Sequence, residues 1–320
     1  VRSPAASTDS YAQPPGPTTQ TVLSAAIKAS GRTKDIEALV ARLSQPRYPL
    51  VAIHGQSGVG KSSLLKAGLV PRLRNLISGG RTTLPVLISS YSSDWIQQIY
   101  GALKSQIKSR DRSVLETIDK ATDEPSISSV DRISVDRMGD EAEDSPDQLL
   151  EALVVEALAV EALAVETLVE TLRQLTSQQY QQVILIFDQF EDFFYEYPTF
   201  KARKGLYLFL QACLDLADVK VVLALREDFL HYLLEWDRNA DLSIINNDIL
   251  SKDVRYYLGN FTPNAAESLI HQLTQAAGFE LEPGLIAALV DDLAEETGEV
   301  RPIELQVVGA QLQRENITTL

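Results

Sequence analysis

The chain has little of what marks a secreted, membrane-spanning or nucleic-acid-coating protein. Among 320 residues there is one cysteine, Cys213, so no intrachain disulfide can form. It lies in the apolar stretch Leu208-Phe209-Leu210-Gln211-Ala212-Cys213-Leu214 and reads as a buried thiol. That suits a reducing compartment, and a cytoplasmic location is the expectation. No apolar run reaches the ~18 residues a membrane span needs, and no stretch of the residues given reads as a signal peptide. A self-similar period of roughly 20 to 50 residues, the mark of a solenoid or propeller, is also missing. An initiating methionine is absent as well; the chain opens at Val1 and is expected to be a fragment or processed form. Basic residues are in the minority, 29 against 44 acids, for a net charge of −15. No basic stripe of the kind that tracks a phosphodiester backbone is visible, so nucleic acid is not indicated as a partner. The acidity is nevertheless local. Between Asp111 and Glu170 there are 17 acids and 4 bases, a net of −13, which leaves −2 for the rest of the chain.

What is present is chemistry for an anion. Gly55-Gln56-Ser57-Gly58-Val59-Gly60-Lys61-Ser62 spells G-x-x-x-x-G-K-S, the phosphate-cradling loop. Its glycines let successive backbone N–H groups turn inward around a phosphate. Lys61 supplies a point charge for the β- and γ-phosphates, and the Ser62 hydroxyl can ligate Mg²⁺. Gln56, Ser57, Val59 and Ser63 complete the candidate cradle. The motif has meaning only between a strand and a helix. Tyr48 to His54 reads as the buried strand, and Ser62 to Val70 as a helix stopping near Pro71. The positive end of that helix dipole then faces the phosphates.

A second constellation lies about 130 residues on. Val183-Ile184-Leu185-Ile186-Phe187-Asp188 is a continuous apolar run ending in an acid, as expected of a central parallel strand that delivers a carboxylate to its carboxyl edge. Asp188 would hold Mg²⁺, directly or through water. Many P-loop ATPases carry a glutamate directly after that acid; here the place is taken by Gln189. Glu191 is the best candidate to orient or deprotonate an attacking water, so hydrolysis is expected to be slow or to use a different geometry. A third strand, Val219 to Leu225, ends at Arg226. Its guanidinium could fork onto a γ-phosphate, or it could pair with Glu227 or Asp228 at the surface.

Residues 1–24 have linker composition, with Pro14-Pro15-Gly16-Pro17, which suggests a domain upstream. Ile36, Leu39, Val40 and Leu43 fall at helical spacing. Leu84 to Ser90 reads as a strand and Trp95 to Ile107 as a helix. Ser109 to Asp147 is polar and acidic and reads as a disordered insertion. A five-residue repeat follows, with Glu151, Glu156, Glu161 and Glu166 each opening a unit such as Glu-Ala-Leu-Ala-Val. Helix propensity there is high. A five-residue step turns about 140° around a helix, though, so the glutamates spiral and make no polar face. The segment is either a partner-binding helix or a repeat expansion that lengthens an existing helix; the second reading is preferred. Asp253 to Leu258 reads as a fifth strand. Three helices then follow, Ala265 to Ala277, Pro283 to Glu296 and Pro302 to Gln313. The organisation expected is a nucleotide-binding domain over 25–262, with the insertion and repeat at about 109–170, and a helical subdomain over 263–320.

These motifs in this order resemble the STAND class of P-loop NTPases, signal-transduction ATPases with numerous domains, and in particular its bacterial novel branch. Gly31-Arg32-Thr33-Lys34-Asp35-Ile36 is similar to the family's G-R-x-x-E-I motif near the adenine, with Asp35 for the usual Glu. The stretch from Gly55 to Pro71 resembles the branch's P-loop and following helix, including Ala67-Gly68-Leu69-Val70-Pro71. Asp188-Gln189-Phe190-Glu191-Asp192-Phe193-Phe194 resembles its D-Q-F-E-E-L-F signature, and Leu225-Arg226-Glu227-Asp228-Phe229-Leu230 its strand-end arginine motif. The Gly-x-Pro motif of the helical unit has a looser counterpart in Gly298 to Pro302. The likeness covers about residues 28 to 315, apart from the acidic insertion and the repeat.

The resemblance implies an α/β fold: a five-stranded parallel sheet of order 5-1-4-3-2, followed by a small helical subdomain. It implies ATP/ADP and Mg²⁺ as cofactors, Arg32 near the base, Arg226 at the γ-phosphate, and switching that controls an effector protein or homo-oligomerisation. It also implies a C-terminal array of sensor repeats, so Leu320 is expected to be a cut end. The rival readings are a DNA-handling AAA+-like ATPase, a P-loop kinase, and a scaffold that keeps its nucleotide without hydrolysing it.

Overall fold

A computed structural model describes residues 32–78, 81–91, 94–107, 146–178, 180, 182–279, 281–315 and 317–319, with the backbone alone at 78, 81 and 146–158. The linker reading and the disorder assigned to the acidic insertion lie outside the described residues, save that the insertion's last two positions, Pro146 and Asp147, open a helix. In chain order the elements begin with α1 (Thr33–Leu43), β1 (Leu50–Gly55) and α2. Helix α2 joins an α-turn (Lys61–Ser63), a π-segment (Leu64–Leu69) and a second α-turn (Val70–Arg74). Next come β2 (Ile77–Ser78), β3 (Arg81–Ile88), α3 (Trp95–Gln106), α4 (Pro146–Gln178) and β4 (Gln182–Phe187). They are followed by α5 (Glu191–Glu196), α6 (Phe200–Leu214), β5 (Val219–Arg226), α7 (Leu230–Asp237) and β6 (Arg255–Tyr257). Helices α8 (Pro263–Ala277), α9 (Pro283–Ala294) and α10 (Pro302–Glu315) close the chain.

The sheet order is β2-β3-β4-β5-β1-β6. Its five parallel strands, β3-β4-β5-β1-β6, are the expected order read from the other edge. The two-residue β2 pairs antiparallel with β3 and was not foreseen, because so short an edge leaves no periodicity to read. The central strands β1, β4 and β5 are buried along nearly their whole length and mostly apolar, because both faces are covered; Lys220 of β5 and His54 of β1 are the buried polar exceptions. Val183, Leu185 and Phe187 of β4 face one core with α3, α4, α6 and α7. Ile184 and Ile186 face the other, with Leu39 and Leu43 of α1 and Leu64, Leu65 and Leu73 of α2. Alternation with period two thus splits one run of hydrophobic residues between two layers. A third, smaller core of Phe261, Ala266, Val290 and Val300 belongs to the helical unit. The Phe261–Val300 bridge joins its entry to the turn before α10.

Three boundaries differ from expectation. Helix α2 does not stop at Pro71; it runs on to Arg74. Proline lacks the N–H and its ring crowds the carbonyl four residues back, and the wide π-turn before it gives the ring room: the Val70 N–H reaches back five residues to Leu65 O. Strand β6 is only three residues, and β3 ends at Ile88. The five-residue repeat lies in the 33-residue α4. Leu168, in the last unit of the repeat, and Leu172 and Leu175 beyond it fall at helical spacing and are buried. Leu163 within it is 56% exposed, as a step that spirals around the helix requires. Among the described residues no helix is long and apolar enough to cross a membrane.

Candidate functional site

Parallel pairing brings the carboxyl ends of β4, β5 and β1 to one edge of the sheet. Phe187 lies opposite Leu223, and Gly55, the first residue of the phosphate loop, lies opposite Arg226. Open α/β sheets bind ligands at this edge, because there the loops diverge and the helix N-termini point inward. Gly58 and Gly60 take φ of +78° and +93°, the left-handed values that let the loop double back before α2 begins.

Lys61 is nearly buried, and its ammonium donates to Gly55 O and Gln56 O, each at 2.9 Å. Burial lowers its pKa, and the nearby Glu191 carboxylate works the other way. The Ser62 hydroxyl donates to Asp188 Oδ1 at 2.8 Å, across 126 residues of sequence. Asp188 is fully buried. Its N–H donates to Ile88 O at 2.8 Å, and its own carbonyl accepts from the Tyr91 hydroxyl at 2.7 Å. Lys66 Nζ stands 3.1 Å from the other carboxylate oxygen, Oδ2, as an ion pair off the hydrogen-bonding direction. Neither Tyr91 nor Lys66 was foreseen. Lys66 was legible in principle: it follows Ser62 by four residues and so shares its helix face.

After Asp188 the chain turns through Gln189, exposed and at φ +55°, a strained conformation for a residue with a side chain. That turn starts α5 at Glu191. Glu191 is buried, its Oε2 accepts the Arg226 N–H at 3.2 Å, and burial raises its pKa, opposed by that hydrogen bond and by Lys61. The Arg226 guanidinium instead pairs with Asp228, at 2.6 Å and 3.1 Å, and lies 5.4 Å from the Phe229 ring centre. The backbone of Arg226 is therefore part of the constellation, while its charged end takes the surface pairing weighed above.

Arg32 bonds the phosphate loop rather than standing free. It donates to Val59 O at 3.1 Å and Gly259 O at 2.7 Å, and its guanidinium lies 4.6 Å from the Phe261 ring centre. Asp35 holds it from one side at 3.4 Å and accepts the Tyr256 hydroxyl at 2.7 Å. Arg32, Val59, Gly60, Ser63, Phe261 and Pro302 line one end of a cavity of about 550 Å³ that continues between α8, α9 and α10. The side chain of Ile303, at the start of α10, rests on the Gly58 backbone.

The sequence from residue 29 to 306 matches the family model of novel STAND NTPase 1. The chain belongs to that family. The match takes in the phosphate loop, Asp188, Arg226 and most of the helical unit of this STAND NTPase. No curated relative matches it by sequence. Solved structures are similar in fold. The Walker-type ATPase PABY2304 of Pyrococcus abyssi is 17% identical with a TM-score of 0.52, over 88% of this chain and 67% of that one. ORC2 of Aeropyrum pernix, in a structure of its ADPNP-ADP complexes, is 13% identical with a TM-score of 0.51, over 98% and 68%.

The donor set fits Mg²⁺. The Ser62 hydroxyl and the Asp188 carboxylate are hard oxygens brought together on rigid elements. Mg²⁺ takes one or two protein oxygens and completes its shell with phosphates and water. When bound it would neutralise charge on the β- and γ-phosphate oxygens. Lys61 and the loop N–H groups would orient those phosphates.

Proposed function

We propose that this STAND NTPase is a nucleotide-operated switch, which binds ATP with Mg²⁺, hydrolyses it slowly, and uses the ATP/ADP difference to control an effector or its own association in the cytoplasm. The observation that carries the reading is the 2.8 Å contact between Ser62 and Asp188 beside the Lys61 loop. Two distant pieces of sequence, the loop that carries Lys61 and Ser62 and the strand end that carries Asp188, meet there, which supports a magnesium-bound triphosphate as the ligand. Slow turnover is supported by Gln189 in the position many ATPases give to glutamate. It is supported too by Glu191, whose carboxylate is engaged by the Arg226 N–H. Arg226 would report the γ-phosphate by exchanging Asp228 for it, a swap between two anions that a guanidinium fork accommodates. The cavity beside Val59 and Gly60 suits the base and sugar, and its far wall is the helical unit, so nucleotide contact and the seating of α8–α10 would be coupled. Lys61→Ala is expected to weaken binding of a fluorescent ATP analogue by about 100-fold, the loss of a charge-assisted contact to phosphate. Unchanged binding by the folded variant would end the proposal.

A further inference from the structure

Asp188 is the most enclosed charge of the site, with its side chain 1% exposed. A carboxylate so deeply buried needs a cation beside it. Lys61 does not supply that contact, because its ammonium is bound to Gly55 O and Gln56 O. Arg226 does not either, because it pairs with Asp228. Among the described residues the ion-pair partner of Asp188 is Lys66, 3.1 Å from Oδ2, while Ser62 holds Oδ1. Both oxygens of the carboxylate that would hold Mg²⁺ are thus already engaged, one by a full positive charge.

We propose that Lys66 is a counter-cation for Asp188 that must withdraw when a divalent ion binds, and so sets how much free Mg²⁺ the site requires. The inference rests on the reading of Ser62 and Asp188 as the metal-holding pair. Lys66 is built for withdrawal: its side chain is 50% exposed, against 1% for its partner, and a flexible four-carbon stem can carry the ammonium into water. It is also built to return, because Ser62 and Lys66 are four residues apart on α2 and face the same carboxylate from one helix. Lys66 is accordingly a positioning residue acting through Asp188, distinct from Lys61.

The test uses the full chain with saturating ADP and titrates Mn²⁺, a hard cation of the same ligand preference, reading free Mn²⁺ by electron paramagnetic resonance. Lys66→Met removes the charge and keeps the stem; Lys66→Arg keeps the charge. Lys66→Met is expected to bind Mn²⁺ about tenfold more tightly than wild type, and Lys66→Arg to stay within about threefold. Without metal and nucleotide, Lys66→Met should melt below wild type, since Asp188 has lost its cation, and excess Mn²⁺ with ADP should close the gap. A merely structural lysine would lower the melting temperature without tightening the metal. Equal or weaker Mn²⁺ binding by Lys66→Met overturns the proposal; should that variant fail to fold, the same titration on Lys66→Gln decides. If wild type takes up ADP and Mn²⁺ and the variants do not differ, the Lys66 inference alone fails. If wild type takes up neither, the nucleotide-site reading fails and this inference falls with it.

Discussion

Gly58→Ala offers a way to measure whether the helical unit is seated on the phosphate loop. A Cβ added at Gly58 would lie 2.8 Å from Ile303 Cβ and 2.9 Å from Ile303 Cγ2, inside any normal carbon contact. The residue also sits at φ +78°. Left-handed backbone costs an L-residue about 1–2 kcal/mol, and overpacking a tight contact costs about 1–3 kcal/mol. Gly58→Ala is therefore expected to lose about 3 kcal/mol. The two contributions separate in a double-mutant cycle. Ile303→Gly removes both clashing carbons but leaves φ untouched, so the double variant should keep the backbone penalty and lose the steric one. The expected coupling is about 1–3 kcal/mol in the direction of rescue. Urea unfolding of wild type, the two single variants and the double variant gives each stability from the midpoint, with the slope held common. Additivity within about 0.5 kcal/mol would mean that α10 does not rest on the loop. The proposed link between nucleotide and helical unit would then lose its physical basis.

Two further outcomes test other parts of the site and its support. Glu191→Gln should slow ATP turnover by at least about 100-fold while ADP affinity stays within about twofold, the pattern of a lost general base; unchanged steady-state turnover would remove Glu191 from the chemistry. Lys220 is buried in β5 and donates to Gln45 O at 2.5 Å and Tyr48 O at 2.9 Å, which holds the turn entering β1; burial brings its pKa down to about 8. Its folded pKa is below its unfolded value, so the unfolded chain binds more protons between about pH 8 and 10.5 and stability rises with pH across that window. Below about pH 8 the lysine is charged in both states and the full burial penalty stands. Lys220→Met should therefore gain on wild type at pH 7 and lose about 2–3 kcal/mol of that relative advantage by pH 10, read from urea midpoints at both values. A stability difference independent of pH would refute the burial argument.

Much of the sheet was legible because its strands are buried on both faces, and an uninterrupted apolar run such as Val183 to Phe187 has few other uses in a chain of this charge. The phosphate loop was legible for a different reason: glycine spacing and Lys61 are demanded by backbone geometry and phosphate charge, both local. Pro71 misled, since the rule that proline ends a helix assumes a regular α-helix before it, and here a π-segment makes room. Arg32 was placed at the site, but its occupation by Val59 O and Gly259 O depends on where β6 exits. Arg226 ends the strand as read, yet the choice between a phosphate and Asp228 is made by side-chain conformation, which strand patterning does not encode.

The sequence by itself determined which residues carry charge, which stretches must be buried, and that a phosphate cradle and a strand-end acid coexist in one chain. Only the tertiary structure decided that they meet. Parallel pairing of β1 with β5 and β5 with β4 sets Ser62 against Asp188 and turns Lys66 onto the same carboxylate. The seating of α10, outside the sheet, lays Ile303 on Gly58. Such contacts join residues more than a hundred positions apart, and local preferences act over a few residues, so sheet register and the packing of the helices fix them and the spelling of either segment does not.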